Sequence, residues 1–105
     1  MPVQIVHTAD KLAEIITYEP YVLVDFYAEW CKPCMKGGPI FEQISNESRY
    51  SHIKFVKINI DNLDDDLKME YGINSIPLLK YYRNNTIVCY KNGLSKNIIN
   101  SMLLT

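Results

Sequence analysis

The sequence has almost no net charge and no long hydrophobic run. Lys and Arg together number 11 and Asp and Glu 12, so the formal charge at pH 7 is -1. We therefore expect neither nucleic acid nor a membrane surface as a partner, since both attract strongly basic proteins. No apolar stretch approaches the roughly 18 residues that a membrane-spanning helix needs. The start, Met1-Pro2-Val3, lacks a charged segment followed by a long apolar one, so we expect no signal peptide and a cytoplasmic location.

Metal-ligating side chains are also scarce. The chain has three cysteines and two histidines, whereas a structural zinc site takes four ligands, usually from two closely spaced pairs. Cys89, His7 and His52 fall on separate predicted elements, so we expect no metal site. Cys89 is expected to be a small buried hydrophobe. In a reducing compartment, two closely spaced cysteines are more often catalytic or metal-binding than structural.

Those two cysteines lie three residues apart in the pentapeptide Trp30-Cys31-Lys32-Pro33-Cys34. The apolar, β-forming run 22–28 precedes them, and the stretch 35–48 that follows has helical spacing in its second half. Cys31 is thus predicted to lie at a helix N-terminus, where free N–H groups and the helix dipole favour an anion. A thiolate is that anion, and it is the nucleophile of disulfide exchange. This pattern predicts a redox-active pair.

The remaining pattern predicts an α/β domain with the element order βαβαβαββα. Predicted strands cover 3–6, 21–28, 53–60, 77–82 and 86–91. One predicted helix follows Thr8, one begins at the cysteines, one is capped by Asp61 or Asn62, and one follows Ser95. The segment Gly37-Gly38-Pro39 is expected to kink the second helix. A length of 105 residues suits a single domain over 1–105.

On the cysteine pentapeptide and the buried strand before it, the sequence resembles the thioredoxin family over nearly its whole length. The resemblance implies a thioredoxin-like three-layer sandwich, a mixed five-stranded sheet flanked by four helices. It implies a thiol–disulfide oxidoreductase that reduces protein disulfides, with Cys31 as nucleophile and Cys34 as resolving thiol. It also implies re-reduction by a flavin-containing, NADPH-dependent thioredoxin reductase and no cofactor on the chain itself. We expect a monomer.

Asp25 is a carboxylate inside an apolar strand, where burial should raise its pKa. In families similar to this one, the matching aspartate acts through water as proton acceptor for the second cysteine, here Cys34. Lys57, on the neighbouring predicted strand, matches the lysine that partners this aspartate. The alternatives are a structural hydrogen-bonded carboxylate for Asp25 and an ordinary solvent-reaching lysine for Lys57.

Six residues are expected to bind substrate. Trp30, Ile76, Pro77 and Gly93 form an apolar groove, and Lys32 and Pro33 of the cysteine motif border it. Trp30 beside the cysteines is expected to be partly exposed and to shield the disulfide, with core packing as its alternative. The resemblance implies a cis peptide bond between Ile76 and Pro77, opposite the cysteines. Ile76 would then offer its backbone to an extended substrate segment, as an added strand does. Gly93 matches a glycine that lines the same groove.

The motif departs from the family pattern at Lys32, where the family usually has glycine. Pro33 matches the family pattern, and proline is tolerated in the first turn of a helix. A positive charge beside Cys31 stabilises its thiolate and makes the couple more oxidising. An exposed charge contributes about 0.3–1 kcal/mol, which corresponds to roughly 6–20 mV. Lys32 should therefore tune the couple and alter the surface that partners meet. A more oxidising oxidase or isomerase of the same fold, or a non-catalytic interaction subunit, remains the alternative.

Overall fold

The computed structural model describes residues 2–105, which form a mixed sheet with helices on both faces. The five strands are β1 (Val3–Val6), β2 (Tyr21–Tyr27), β3 (Lys54–Asn59), β4 (Leu78–Arg83) and β5 (Thr86–Asn92). The four α-helices are α1 (Ala9–Tyr18), α2 (Lys32–Ser45), α3 (Asp65–Glu70) and α4 (Lys96–Leu103). Short 3-10 helices cover Ser48–Tyr50 and Ile60–Asn62.

The strand order in the sheet is β1-β3-β2-β4-β5. Strands β1, β3 and β2 are parallel, whereas β4 and β5 run antiparallel to their neighbours. The predicted α/β sandwich, with five strands and four helices, is confirmed. Strand β2 lies at the centre of the sheet, which explains why its side chains are apolar on both alternating faces.

The alternation of β2 divides the core into two clusters. Val22, Val24 and Phe26 pack on the face that contains α1. Leu23 points to the opposite face, where it joins side chains of α2 and α4. Because side chains alternate along a strand, Asp25 shares the face of Leu23, beneath the first turns of α2.

Helix α1 follows its sequence prediction closely. The Thr8 side chain accepts a hydrogen bond from the Lys11 N–H at 3.1 Å and caps the helix. Leu12, Ile15 and Ile16 form its buried face. An apolar stripe at helical spacing and a Thr cap are thus enough to specify this element.

Helix α3 differs from its prediction. The expected caps, Asp61 and Asn62, lie in a 3-10 turn whose start is capped by Asn59. The α-helix is capped instead by Asp64, whose Oδ1 accepts from the Leu67 N–H at 2.8 Å. The prediction was wrong because several consecutive Asn and Asp residues can each cap a turn.

Helix α2 continues without a break through Pro39. Gly37 lies so close to the segment before α4 that an added Cβ would stand 2.6 Å from the Leu94 Cβ. At this position, glycine is what allows the start of α2 to pack against the segment before α4. Across residues 2–105, no helix has the length and apolarity to cross a bilayer.

Candidate active site

Cys31 caps the N-terminus of α2, one loop after β2 ends. Its Sγ accepts a hydrogen bond from the Cys34 N–H at 3.2 Å. The two cysteines are joined by a disulfide, with their Cα atoms 5.3 Å apart. Pro33 occupies the first turn, where a missing N–H costs no helical hydrogen bond. In the reduced protein, the backbone donor and the helix dipole would both stabilise a thiolate on Cys31.

Both cysteines are buried, with 6% of Cys31 and 2% of Cys34 exposed. They differ in what they border: Cys31 lines an apolar groove together with Trp30, whereas Cys34 lines a cavity beside Asp25. An attacking thiol needs access to its target, so the geometry favours Cys31 as the residue that meets a substrate.

Asp25 lies beneath the pair, 2% exposed. Its Oδ1 has no hydrogen-bond partner within residues 2–105. Loss of solvation on burial raises the pKa of Asp25 from 3.8 to about 7, and the charge of Lys57 offsets part of this rise. A carboxyl with such a pKa can both accept and release a proton near neutral pH.

Lys57 is the register partner of Asp25 on β3. Its Nζ lies 4.8 Å from the centroid of the Tyr27 ring, a cation–π distance. The ion pairs formed within residues 2–105 do not include Asp25 with Lys57. Lys57 therefore acts on the carboxyl through its charge without a direct contact.

An open cavity of ≈ 320 Å³ reaches both Asp25 and Cys34. Its walls also include Lys57, Glu42 and Gly38. Charged side chains stand in its walls, and its volume is sufficient for water. A water molecule in this cavity would connect Cys34 with the carboxyl of Asp25.

Trp30 is 67% exposed, so its side chain lies at the surface and not in the core. Its indole Nε1–H donates to Asp61, 3.2 Å from Oδ2 and 3.4 Å from Oδ1. Sequence reasoning missed this role of Asp61. Nothing in the local sequence signals it, because the two residues are 31 positions apart and meet only in the folded chain.

The peptide bond between Ile76 and Pro77 is cis, as predicted. The Gly93 N–H donates to the Pro77 carbonyl at 3.0 Å. Gly93 has φ 128°, and an added Cβ would stand 2.5 Å from Ile98 Cδ1. The backbone conformation therefore favours glycine here, whereas the Ile98 Cδ1, at the end of a flexible side chain, can move aside.

Two apolar grooves flank the cysteine pair. The larger, ≈ 480 Å³, is lined by Cys31 and by four predicted site residues: Trp30, Lys32, Pro33 and Ile76. The smaller, ≈ 260 Å³, is lined on the other side by Pro33, Pro77 and Gly93. The structure thus brings every predicted substrate-binding residue to one of the two grooves.

The larger groove also contains residues that the sequence did not single out, among them Lys68 and the segment 73–75. Lys68 belongs to α3, and only the packing of that helix places it near the cysteines. Cys89 lies half-buried on β5, with its Sγ 4.0 Å from the Met102 carbonyl. No cluster of three or more metal-ligating side chains occurs among residues 2–105.

A cysteine that caps a helix N-terminus and borders an apolar groove, with a buried partner three residues on, defines a thiol–disulfide oxidoreductase. Disulfide-containing proteins are the substrates of this class.

Comparison with known proteins gives the same class. The sequence profile of the thioredoxin family matches residues 3–104. Thioredoxin of Rickettsia felis is 40% identical over 90 residues, covering 86% of this chain and 82% of that protein. A thioredoxin-like protein of Fusarium culmorum is 33% identical over 75 residues, and the match spans only 61% of its length. The solved thioredoxin of Plasmodium falciparum superposes with a TM-score of 0.86 at 29% identity, covering 96% of both chains. The chain belongs to the thioredoxin family.

Proposed function

We propose that this protein is a cytoplasmic electron carrier that reduces protein disulfides. A flavin-containing, NADPH-dependent thioredoxin reductase then reduces it in turn. The observation that carries the proposal is the asymmetry of the cysteine pair: Cys31 borders a groove, and Cys34 is buried beside a carboxyl. The assignment of the reductase and of the compartment rests on family membership and on the reducing conditions that keep a dithiol functional.

In the first step, the Cys31 thiolate attacks one sulfur of the substrate disulfide. The substrate S–S bond breaks and a mixed disulfide forms with Cys31. One substrate sulfur leaves as a thiolate, which takes a proton from water. Trp30 and Ile76 on one side, with Pro77 and Gly93 on the other, hold the substrate segment across Cys31.

In the second step, Cys34 attacks the Cys31 sulfur of the mixed disulfide and releases the second substrate thiol. Cys34 must first lose its proton, and Asp25 accepts it through water in the cavity that both residues line. The pKa of about 7 makes Asp25 a suitable acceptor at neutral pH. Two electrons pass to the substrate, and the Cys31–Cys34 disulfide is the oxidised product.

The reduction potential tests this proposal most directly. The protein, carrying Cys89→Ser to remove the third thiol, is equilibrated with defined dithiol buffers and its free thiols are trapped. We expect a midpoint near roughly -270 mV, shifted upward by about 6–20 mV through Lys32. A midpoint near roughly -180 mV would overturn the reductase assignment in favour of disulfide formation or isomerisation.

The double variant Cys31→Ser with Cys34→Ser distinguishes the proposed redox function from a binding role without redox chemistry. We expect it to lose disulfide reduction and turnover by thioredoxin reductase. If its cellular effect survives unchanged, the redox pair is incidental and the proposal fails. Cys89→Ser is the matched control, because it removes a cysteine that lies outside both grooves.

A further inference from the structure

The ammonium group of Lys57 has two neighbours on the adjacent strand β2. Its register partner there is Asp25. Tyr27 lies two residues further along β2 and shares the face of Asp25, because side chains alternate along a strand. All three side chains line the cavity that also reaches Cys34. The flexible four-carbon stem of Lys57 allows its ammonium group to pair with the carboxylate or to lie over the ring.

In the fold, Lys57 lies against the ring. Its Nζ is 4.8 Å from the centroid of Tyr27, whereas the ion pairs found between residues 2 and 105 leave out Asp25. Across the same residues, the Asp25 Oδ1 has no hydrogen-bond partner. An ammonium group in direct contact would stabilise a carboxylate at this buried position. The charge of Lys57 therefore acts on Asp25 from a distance at which the carboxylate gains less than it would from an ion pair.

The other groups around Asp25 supply no second cation. Cys34 and Glu42 of α2 line the same cavity, and neither carries a positive charge. On β4 the register partner of Asp25 is Leu79, which is apolar and fully buried. Of the described residues that line the cavity, Lys57 alone is positively charged. The position of this one ammonium group thus decides how strongly the carboxylate is stabilised.

The ring of Tyr27 stays neutral while Asp25 titrates. Burial, with smaller contributions from the charges of Glu29 and Asp25, raises the pKa of the Tyr27 hydroxyl above its ordinary value of 10.0. A neutral ring keeps the electron-rich face that attracts an ammonium group. The contact between Tyr27 and Lys57 is therefore present across the whole pH range in which Asp25 gains or loses its proton.

We propose that Tyr27 is a positioning residue whose ring holds the Lys57 ammonium away from Asp25. The inference rests on the proposed function, since it concerns the carboxyl that accepts the proton of Cys34. A direct ion pair would favour the carboxylate and make it a weaker base. A weaker base takes up a proton less readily, so the ring preserves the ability of Asp25 to deprotonate Cys34.

The first test measures the pKa of Asp25 directly in the oxidised protein. The carboxyl ¹³C chemical shift is followed against pH and assigned with the variant Asp25→Asn. Tyr27→Leu removes the ring and frees Lys57 to approach the carboxylate, so the titration midpoint should lie about one pH unit below that of the wild type. Tyr27→Phe keeps the ring face and loses only the hydroxyl, so its midpoint should stay close to the wild-type value.

A double-variant cycle separates the effect of Lys57 from that of water. Loss of the ring also admits water to the cavity, and better solvation by itself lowers the pKa of Asp25. Tyr27→Leu is therefore repeated in a Lys57→Met background, where no ammonium group can move. There it should lower the midpoint by less than half as much as in the protein with Lys57. Equal decreases in the two backgrounds would assign the effect to water and overturn the proposal.

The pH profile of the reaction supplies the functional readout. Single-turnover reduction of a protein disulfide is measured at substrate concentrations where the rate no longer rises, so that attack by Cys34 limits it. For Tyr27→Leu, the midpoint of the profile should move to lower pH by the same amount as the pKa of Asp25. The plateau rate should fall about two- to fivefold, because the base is weaker. Tyr18→Leu is the matched control, since it removes an exposed tyrosine at the end of α1. Its profile should match that of the wild type.

The outcomes distinguish this proposal from the proposed function. An unchanged pKa of Asp25 in Tyr27→Leu, or an equal decrease in Tyr27→Phe, overturns the role of the ring and leaves the disulfide reductase standing. If Asp25→Asn reduces the substrate at the wild-type rate at every pH, Asp25 is not the proton acceptor, and that step of the proposed function fails. Should Tyr27→Leu not fold, Tyr27→Met removes the ring with another aliphatic side chain, and the same outcomes decide.

Discussion

At the scale of the residue, Asp25 links the chemistry of the site to the stability of the fold. Its folded pKa of about 7 lies above the ordinary value of 3.8 because of burial. Between these values the folded state binds more protons than the unfolded state. The free energy of unfolding therefore falls as pH rises from about 4 to about 7, and the loss is complete above the folded pKa.

The variant Asp25→Asn removes this titration. At pH 4 its free energy of unfolding should be close to that of the wild type. At pH 8 it should exceed the wild-type value by up to about 4 kcal/mol, the equivalent of the pKa shift. Urea unfolding of the oxidised form from pH 4 to pH 8 measures the difference. A difference that does not change with pH would show that Asp25 titrates normally in the folded protein.

Asp61 governs a second residue-scale property, the orientation of Trp30. Asp61→Ala removes the acceptor of the indole N–H. Because both side chains are exposed, the unfolding free energy should change by less than about 1 kcal/mol. The kcat/KM for a protein disulfide should fall several-fold, since one wall of the groove is less ordered.

Asp61→Asn is the control for that prediction, because its side-chain carbonyl still accepts from the indole. It should keep most of the wild-type kcat/KM. If both variants lose activity equally, the charge of Asp61 matters more than its hydrogen bond to Trp30.

At the scale of the element, the two adjacent glycines of α2 have opposite environments. A Cβ at Gly37 would meet Leu94 at 2.6 Å, whereas a Cβ at Gly38 has nothing within 4 Å. Gly37→Ala should destabilise the protein by about 1–3 kcal/mol through overpacking. Gly38→Ala should stabilise it by up to about 1 kcal/mol, because alanine favours the helix.

Each glycine variant serves as the control for the other, since both add one methyl group to the same helix. Thermal or urea unfolding of the two variants measures their free energies of unfolding and tests the prediction. Equal effects would mean that the segment around Leu94 moves aside, and that Gly37 is not needed for the packing of α2.

The helices also show which local features can be predicted from sequence. The cap and buried face of α1 follow from residues within the helix itself, so the sequence specifies them. The cap of α3 does not, because Asn and Asp residues at 59, 61, 62 and 64 can each cap a turn. In the fold Asn59 caps the 3-10 turn and Asp64 caps α3. The cysteine pair and Asp25 were recognisable locally. Asp61 and Lys68 were not, because only the assembled fold brings them to the groove.

At the scale of the whole molecule, β2 belongs to both core clusters. Leu12 of α1 and Ile99 of α4 are fully buried on opposite faces of the sheet. Neither cluster can lose its packing without exposing one face of the same central strands. We therefore propose that the chain unfolds as a single cooperative domain.

Leu12→Ala and Ile99→Ala test that proposal from the two faces. Each should lower the free energy of unfolding by about 2–5 kcal/mol through a cavity and lost apolar burial. Trp30, the only tryptophan, reports on the active-site end by fluorescence, and far-UV circular dichroism reports on the whole backbone. In each variant, the two signals should change together at one urea midpoint. If the dichroism of one variant changes before its fluorescence, one face unfolds separately, and the shared sheet does not couple the two halves of the core.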